Sequence, residues 1–488
     1  MPLWNKILFI ILYLFPVMVF SQQWFMPSYK AGFAEDTATA ILYPAFGEID
    51  LKQGDSSRSY LHRKMFMENF IGLQKEGLVL ALNPLMNFYG GTSSRKENII
   101  YRNTRAIQIK GALGKHVAFK TSFYETQMNS PEWIDGFYRK FGVFPGETNA
   151  KGYGEDGYDI GSVYSAFAVH QSWGKMRMVF RGGYDNLFIG TGFRSLFLSD
   201  FSLPFLHGAM HLQYGRWQYL HLTASLQNPN FRNVMQLETS RRPSTAPYQK
   251  KTMTLHYLRY RLAESVSLGL LEGVIFRVAD SAERRFSMQY LNPVIFSNVA
   301  AYGLNHNNNV MIGADMHISW SIKFTTYLQW LQDTKNSEGT AVLASVRYRG
   351  SSFKALVEGS HLGNEVLAHR DPRQSYTHFN QPLTHPAGAG VDELVIEAGY
   401  RYQRFIMDTR VVIQQKRHNV DYNIPTEVTG ETIHHTFYDA TLRYILNPST
   451  RLQLFANILE YHGPEGQEQF FRIGLKTQLR REYMAVTE

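Results

Sequence analysis

The sequence predicts an all-β fold, a transmembrane antiparallel up-and-down barrel of about 18 strands with a small helical N-terminal segment at the periplasmic side or in the lumen. Three observations predict it. From about residue 77 onward, segments of 8 to 13 residues alternate apolar and polar side chains, the period of a strand with two different faces. Long charged residues persist in mid-strand on the polar face, while the apolar face often ends in an aromatic (Trp320, Trp330, Tyr402, Tyr444), as interface girdles do. Finally, the connections sort by length into two sets, which a soluble sandwich gives no reason for.

Composition excludes the main competitors. The 488 residues are 44% hydrophobic and 19% charged, with 29 Tyr, 33 Phe and 7 Trp and no cysteine. Disulfide scaffolds, thiol catalysis and cysteine-ligated metals are therefore ruled out. Mean hydropathy of −0.28 is too polar for a helical membrane protein, and the aromatic content argues against a disordered chain.

Residues 1–21 read as an export signal: Lys6 is the charged n-region, Ile7 to Phe20 the apolar core, and cleavage falls between Ser21 and Gln22. The apolar core is short for a membrane anchor, which needs roughly 20 residues. Export also argues against nucleic acid as the partner of the net charge of +9. Residues 22–76 form the N-terminal periplasmic or plug segment, in which Arg58 to Phe70 has helical spacing through Leu61 and Met65.

Residues 77–488 form the barrel. Its strands are expected at 77–89, 104–114, 116–126, 160–171, 174–183, 207–214, 217–227, 251–262, 265–278, 310–320, 322–332, 339–349, 352–361, 391–402, 404–416, 435–446, 450–460 and 469–479. Connections then alternate from long (90–103) and short (115) through to long (461–468), placing all long loops on one rim and both chain ends on the other. A helix is expected at Glu132 to Phe141 in the loop 127–159.

No motif points to catalysis, and no cofactor or metal is expected. Gly190-Thr191-Gly192 lacks the third glycine and the βαβ setting of a nucleotide loop, so it reads as chain leaving the wall through glycines. His207, His211, His369, His378, His385, His434 and His435 lack a convergent carboxylate or a metal-binding motif and read as solvated loop and lumen residues.

The charges are more informative. In this register Lys110, Arg177, Arg181, Lys323, Arg347, Arg349, Lys354, Arg401, Arg410, Arg443, Arg472 and Lys476 face inward. They outnumber the inward Asp315, Glu358, Glu393, Glu397, Asp408 and Asp439 about two to one. Two readings stay open: a lumen that favours anions or acidic glycans, and a mutually paired lattice that stiffens the wall. Trp133, Tyr138, Tyr153, Tyr158, Tyr376 and Phe379 in the long loops are candidate platforms for sugar rings, or loop packing.

Three ordered blocks carry a resemblance: Asn103 to Gly111, Gly183 to Asp200, and Tyr290-Leu-Asn-Pro-Val-Ile-Phe296. Together they resemble the Wzi-like capsule-assembly barrels of Gram-negative bacteria, in particular the branch of the gliding-motility protein RemB. The resemblance runs from about residue 58 to the last strand. It implies a non-enzymatic, monomeric outer-membrane barrel whose partners are membrane lipid and either an acidic surface polysaccharide or cell-surface motility and adhesion proteins. It supplies no glycan-contacting motif. The alternative is a passive or anion-selective porin.

Overall fold

The computed structural model describes residues 51, 56–114, 116–147, 150–228, 249–276, 288–302, 308–336, 338–426, 428, 430–477 and 482–486. The export signal, with Ser21 and Gln22, lies outside them. One antiparallel sheet of 20 strands contains the wall, and two of these, Ile71–Lys75 and Lys151–Tyr153, are short flaps. The remaining 18 close on themselves.

In chain order the wall strands are β1 (Leu78–Ser93), β2 (Lys96–Leu113), β3 (Val117–Met128), β4 (Gly157–Trp173), β5 (Met176–Asp185), β6 (Phe205–Tyr214), β7 (Trp217–Asn228), β8 (Gln249–Arg261) and β9 (Val266–Phe276). They continue as β10 (Asn309–Ser319), β11 (Phe324–Asp333), β12 (Thr340–Arg349), β13 (Phe353–Leu362), β14 (Val391–Tyr402), β15 (Phe405–Arg417), β16 (Thr432–Asn447), β17 (Leu452–Gly463) and β18 (Gly466–Lys476). Each expected strand is present, and the helix α2 (Glu132–Phe141) has the expected bounds. The N-terminal helix α1 (Tyr60–Phe66) is shorter than its periodicity suggests, starting at the Ser59 cap.

Two expected long connections are corrected. β1 and β2 are joined by residues 94–95 and β17 and β18 by 464–465, because these four strands continue past the rim as paired ribbon. The mixed polar run Lys96-Glu97-Asn98 hides that pairing from a hydrophobicity pattern. The remaining long loops do share one rim.

The seam explains both chain ends. β18 pairs with β1 only from Asn87↔Lys476 to Ser93↔Phe470, whereas Ile71–Lys75 pairs with Leu78 to Leu82. The lower edge of β1 is thus already covered by the N-terminal flap, and among the described residues the contact with β18 ends at Thr477, which still bonds Met86. Pro84, which has no N–H to donate, falls in the gap between these two ladders. α1 docks on the short-turn rim, where Asn447 donates to the carbonyls of Lys64 (3.1 Å) and Glu68 (3.0 Å) and Ser449 donates to that of Met67 (2.7 Å). Among the described residues the N-terminal segment is therefore a rim element, not a plug.

The outer wall is lined by exposed apolar side chains, including Ile107, Phe123, Phe180, Leu270, Leu442 and Ile458. Aromatics gather near the short-turn rim, with ring pairs Trp217–Tyr260 (4.4 Å), Phe324–Tyr348 (4.9 Å) and Phe405–Tyr444 (4.7 Å).

Inside, the wet lumen suggested by alternation is found only toward the short turns. The long-loop half is packed: wall residues Leu222, Leu255, Leu271, Met311 and Leu343 form one buried cluster with Phe137 and Phe141 of α2, Leu196 to Leu198 and Phe201 of the β5–β6 loop, and Tyr376 and Leu383 of the β13–β14 loop. Tyr483 and Val486 of the C-terminal tail join the same cluster. Burial of each such side chain stabilises by about 1.5–3 kcal/mol, which is what draws the loops inward.

Candidate functional site

The lumen is organised around two wall carboxylates, Glu358 on β13 and Glu393 on β14, two register positions apart on the same face. Glu358 accepts the backbone N–H groups of Phe193 and Arg194, both at 2.6 Å. Arg194 donates from Nε (2.8 Å) and Nη2 (3.0 Å) to Glu393. Glu393 also accepts from Gln414 (2.6 Å) and lies 3.0 Å from His385 Nε2. Arg347 donates to the Thr191 carbonyl (2.7 Å) and Leu196 N–H to Gln329 (2.9 Å). The β5–β6 loop is thus latched to four wall strands, to three of them by charge-assisted bonds.

The Gly-Thr-Gly run makes this approach possible. Gly190 has φ +128°, and a Cβ on Gly192 would stand 2.7 Å from Glu358 Oε2 and 2.6 Å from the Arg194 carbonyl. The sequence reading of chain leaving the wall through glycines holds, and its destination is the lumen.

Next to the latch lies a charge lattice. Glu397 receives Lys354 (2.7 Å) and Arg410 (2.7 Å), Asp408 receives Lys354 (2.9 Å) and Arg443, and Asp439 lies 3.7 Å from Arg410. Arg181 pairs with Asp185 (2.7 Å). Arg472 pairs with Glu482 (2.9 Å), donates to Asn457 (2.9 Å) and stands 4.7 Å over the Tyr89 ring. For Arg181, Arg410, Arg443 and Arg472, then, the structure shows paired residues, while Arg347 is taken by Thr191. Arg177, Lys323, Arg349 and Arg401 lie toward the short-turn rim and have no carboxylate in ion-pair reach among the described residues.

The loop aromatics separate in the same way. Trp133 is buried and donates to the Met484 carbonyl (2.9 Å). Tyr376 is fully buried and donates to the Phe197 carbonyl (3.2 Å). Phe379 is buried against His378. Tyr138 stacks on Phe144 at 4.6 Å, and Tyr158 meets the same ring edge-on at 4.7 Å; both are half-buried, and burial raises the pKa of the Tyr138 phenol. Tyr153, 44% exposed, is the candidate whose ring is open to solvent.

The histidines depart from expectation: His207, His211, His378, His385 and His435 are buried, not solvated. His385 is held below its ordinary pKa by burial, which outweighs the opposing pull of Glu393. Two functional elements had no sequence signal. Arg194 lies in a loop whose destination depends on docking, and Glu482 lies beyond the last strand. At Glu482 burial pushes the carboxyl up, but Arg472, Lys476 and Arg102 around it hold it well below the usual range.

No protein-family model matches the sequence, and no curated protein matches it. Among solved structures, the barrel is similar in fold to Wzi. That protein is described as an outer membrane protein involved in group 1 capsule assembly in Escherichia coli and as a carbohydrate-binding β-barrel. Identity is 12%, the match covers 81% of this chain and 85% of Wzi, and the TM-score is 0.53. OccK3 (OpdO) of Pseudomonas aeruginosa matches at 10% identity over 82% of this chain and 95% of its own, with a TM-score of 0.44. OccK2 (OpdF) of the same organism, solved with glucuronate, matches at 10% over 85% and 100%, with a TM-score of 0.45. At these identities the likeness is one of fold.

Proposed function

We propose that this chain is a non-enzymatic outer-membrane barrel of a Gram-negative bacterium that retains or helps assemble an acidic surface polysaccharide at its long-loop face. The apolar outer wall with its aromatic girdle, together with the export signal read from residues 1–21, supports membrane placement. The observation that carries the retention reading is the latched and packed lumen half, which favours a fixed surface over a conduit. Tyr153 is the solvent-facing ring for a sugar, and Arg139, Lys140 and Lys151 are nearby loop cations. In the gliding branch of the family resembled, the same surface engages motility or adhesion partners.

A second reading, an anion-selective pore, draws on Arg177, Lys323, Arg349 and Arg401, which face the wet half of the lumen without carboxylate partners. Two measurements separate the readings. Purified barrel is expected to bind the host's own extracted polysaccharide, more weakly at high salt, and to give no conductance steps in planar bilayers. Steps without glycan binding establish the pore. Capsule retention and gliding both unchanged on deletion, with no glycan bound, end the retention reading.

A further inference from the structure

The β9–β10 loop contains a 3₁₀ turn (Met288–Leu291) and a short helix α3 (Ser297–Tyr302), and this segment lies against the outside of the wall. Register establishes the side. His221 pairs with His256, His256 with Glu272 and Glu272 with Ile312, so these four share a face. The opposite face of the same strands carries Leu222, Leu255, Leu271 and Met311, which belong to the lumen cluster. Exposed Leu268 and Leu270, on the same face of β9 as Glu272, confirm that this face looks outward.

A carboxylate and two imidazoles therefore sit on the lipid-type surface, yet His256 and Glu272 have 0% exposure. The loop segment covers them. Glu272 accepts the Phe296 N–H (2.6 Å). Thr223 and Thr254 donate to the Tyr290 carbonyl (2.6 and 3.3 Å), and the Tyr219 hydroxyl donates to that of Pro293. Val274, Phe276 and Val310 pack beneath Tyr290 and Val299.

Height on the wall comes from the aromatic pair Trp217–Tyr260, close to the short turns. Tyr260 pairs with Leu268, four residues before Glu272 on β9. Four residues span about 13 Å of strand, or roughly 10 Å of height at a tilt near 40°, inside an apolar band about 25 Å tall. Hydrocarbon tolerates irregular backbone only where its polar groups are satisfied. Several are: Val294 N–H donates to Asn292 Oδ1 (3.1 Å), Ser297 N–H to the Val294 carbonyl (3.2 Å) and Ala300 N–H to that of Phe296 (2.8 Å), and wall side chains take the Phe296 N–H and the Tyr290 and Pro293 carbonyls. The outer surface of the segment presents Leu291 (48% exposed) and Val294 (58%).

We propose that residues 288–302 are a strap immersed in the acyl layer of the membrane, anchored by Glu272, with lipid acyl chains as the partner of its outer face. Wall and strap need each other, since apart each would present unsatisfied polar groups to hydrocarbon. The proposal rests on the reading that the barrel spans a membrane.

Because the chain has no cysteine, single-cysteine variants carrying a bimane probe test it in proteoliposomes made with brominated-acyl phospholipid. Val294→Cys is expected to be quenched like Phe123→Cys on the outer face of β3, while Tyr153→Cys on the outer loops is not. Quenching at 123 without quenching at 294 overturns the strap and leaves the membrane reading standing. Absence of quenching at both sites overturns the membrane reading, and the strap with it. Adding Glu272→Leu is expected to abolish quenching at 294 and preserve it at 123; unchanged quenching at 294 removes Glu272 as the anchor.

Discussion

Arg194 and Glu393 form a two-pronged ion pair, 2.8 and 3.0 Å, between a loop tip and the barrel wall, with both side chains almost fully removed from solvent at 4% and 1% exposure. This bond decides whether the β5–β6 loop stays in the lumen. Removing one partner of such a pair leaves an uncompensated buried charge and costs about 3–5 kcal/mol. Arg194→Met is therefore expected to lower the unfolding temperature of the purified barrel in detergent and to produce ion conductance absent from the parent. A variant that melts and insulates like the parent would show that the latch is dispensable.

The same loop gives a steric test with an internal control. Gly192→Ala drives a methyl into Glu358 and the Arg194 carbonyl, an overpacking that costs about 1–3 kcal/mol. Gly208→Ala on β6 meets nothing within 4 Å. The first substitution is expected to make the β5–β6 loop cleavable by added protease and the second to leave it resistant. Equal resistance in both would contradict the docked geometry.

The wall was legible in the sequence because period-2 alternation is a local property from which each strand follows, as α2 follows from helical spacing. Alternation states that two faces differ, not which one faces in. On β10 the apolar face (Ile312, Ala314, Met316) does point outward. On β7 to β9 the order is reversed, with Leu222, Leu255 and Leu271 inside and His221, His256 and Glu272 outside, and only the packed lumen and the external segment explain it. The site divides likewise. Glu358 and Glu393 were readable as inward carboxylates, whereas Arg194 and His385 reach them from loops, and Glu482 reaches Arg472 from the tail, all positioned by long-range docking.

His378 makes loop docking depend on pH. Its Nδ1 accepts the Gln227 N–H (2.9 Å) and its Nε2–H donates to the Pro204 carbonyl (3.2 Å), so the ring is neutral and a proton on Nδ1 would face another donor. Burial lowers its pKa to about 3. A depressed folded-state value contributes stability that is whole above the unfolded pKa, about 6.5, and is lost as pH falls toward about 3. At roughly 1.4 kcal/mol per pH unit, pH 5 costs about 2 kcal/mol relative to pH 8. Unfolding temperature is expected to drop across that interval in the parent and by a smaller amount in His378→Gln, which retains the other buried histidines. An equal drop in both would assign the effect to other groups.

Residues 482–486 of the C-terminal tail pack inside the barrel. Glu482 binds Arg472 and Asn87, the Tyr483 hydroxyl donates to Asp200 (2.5 Å) while its ring meets Phe201 edge-on at 4.8 Å, and the Met484 carbonyl accepts from Trp133. One short stretch thus joins the seam strands, the latched loop and helix α2. Tyr483→Phe removes a single bond and leaves the buried Asp200 short of a donor, a loss of about 1–3 kcal/mol. Ending the chain before Glu482 also leaves Arg472 without its carboxylate. The graded expectation is a modest fall in unfolding temperature for Tyr483→Phe. Truncation should lower it further and add conductance, while both variants keep the heat-modifiable gel shift of a closed barrel. Truncation without change in either readout would mean that the tail follows the packing of the loops and does not hold them.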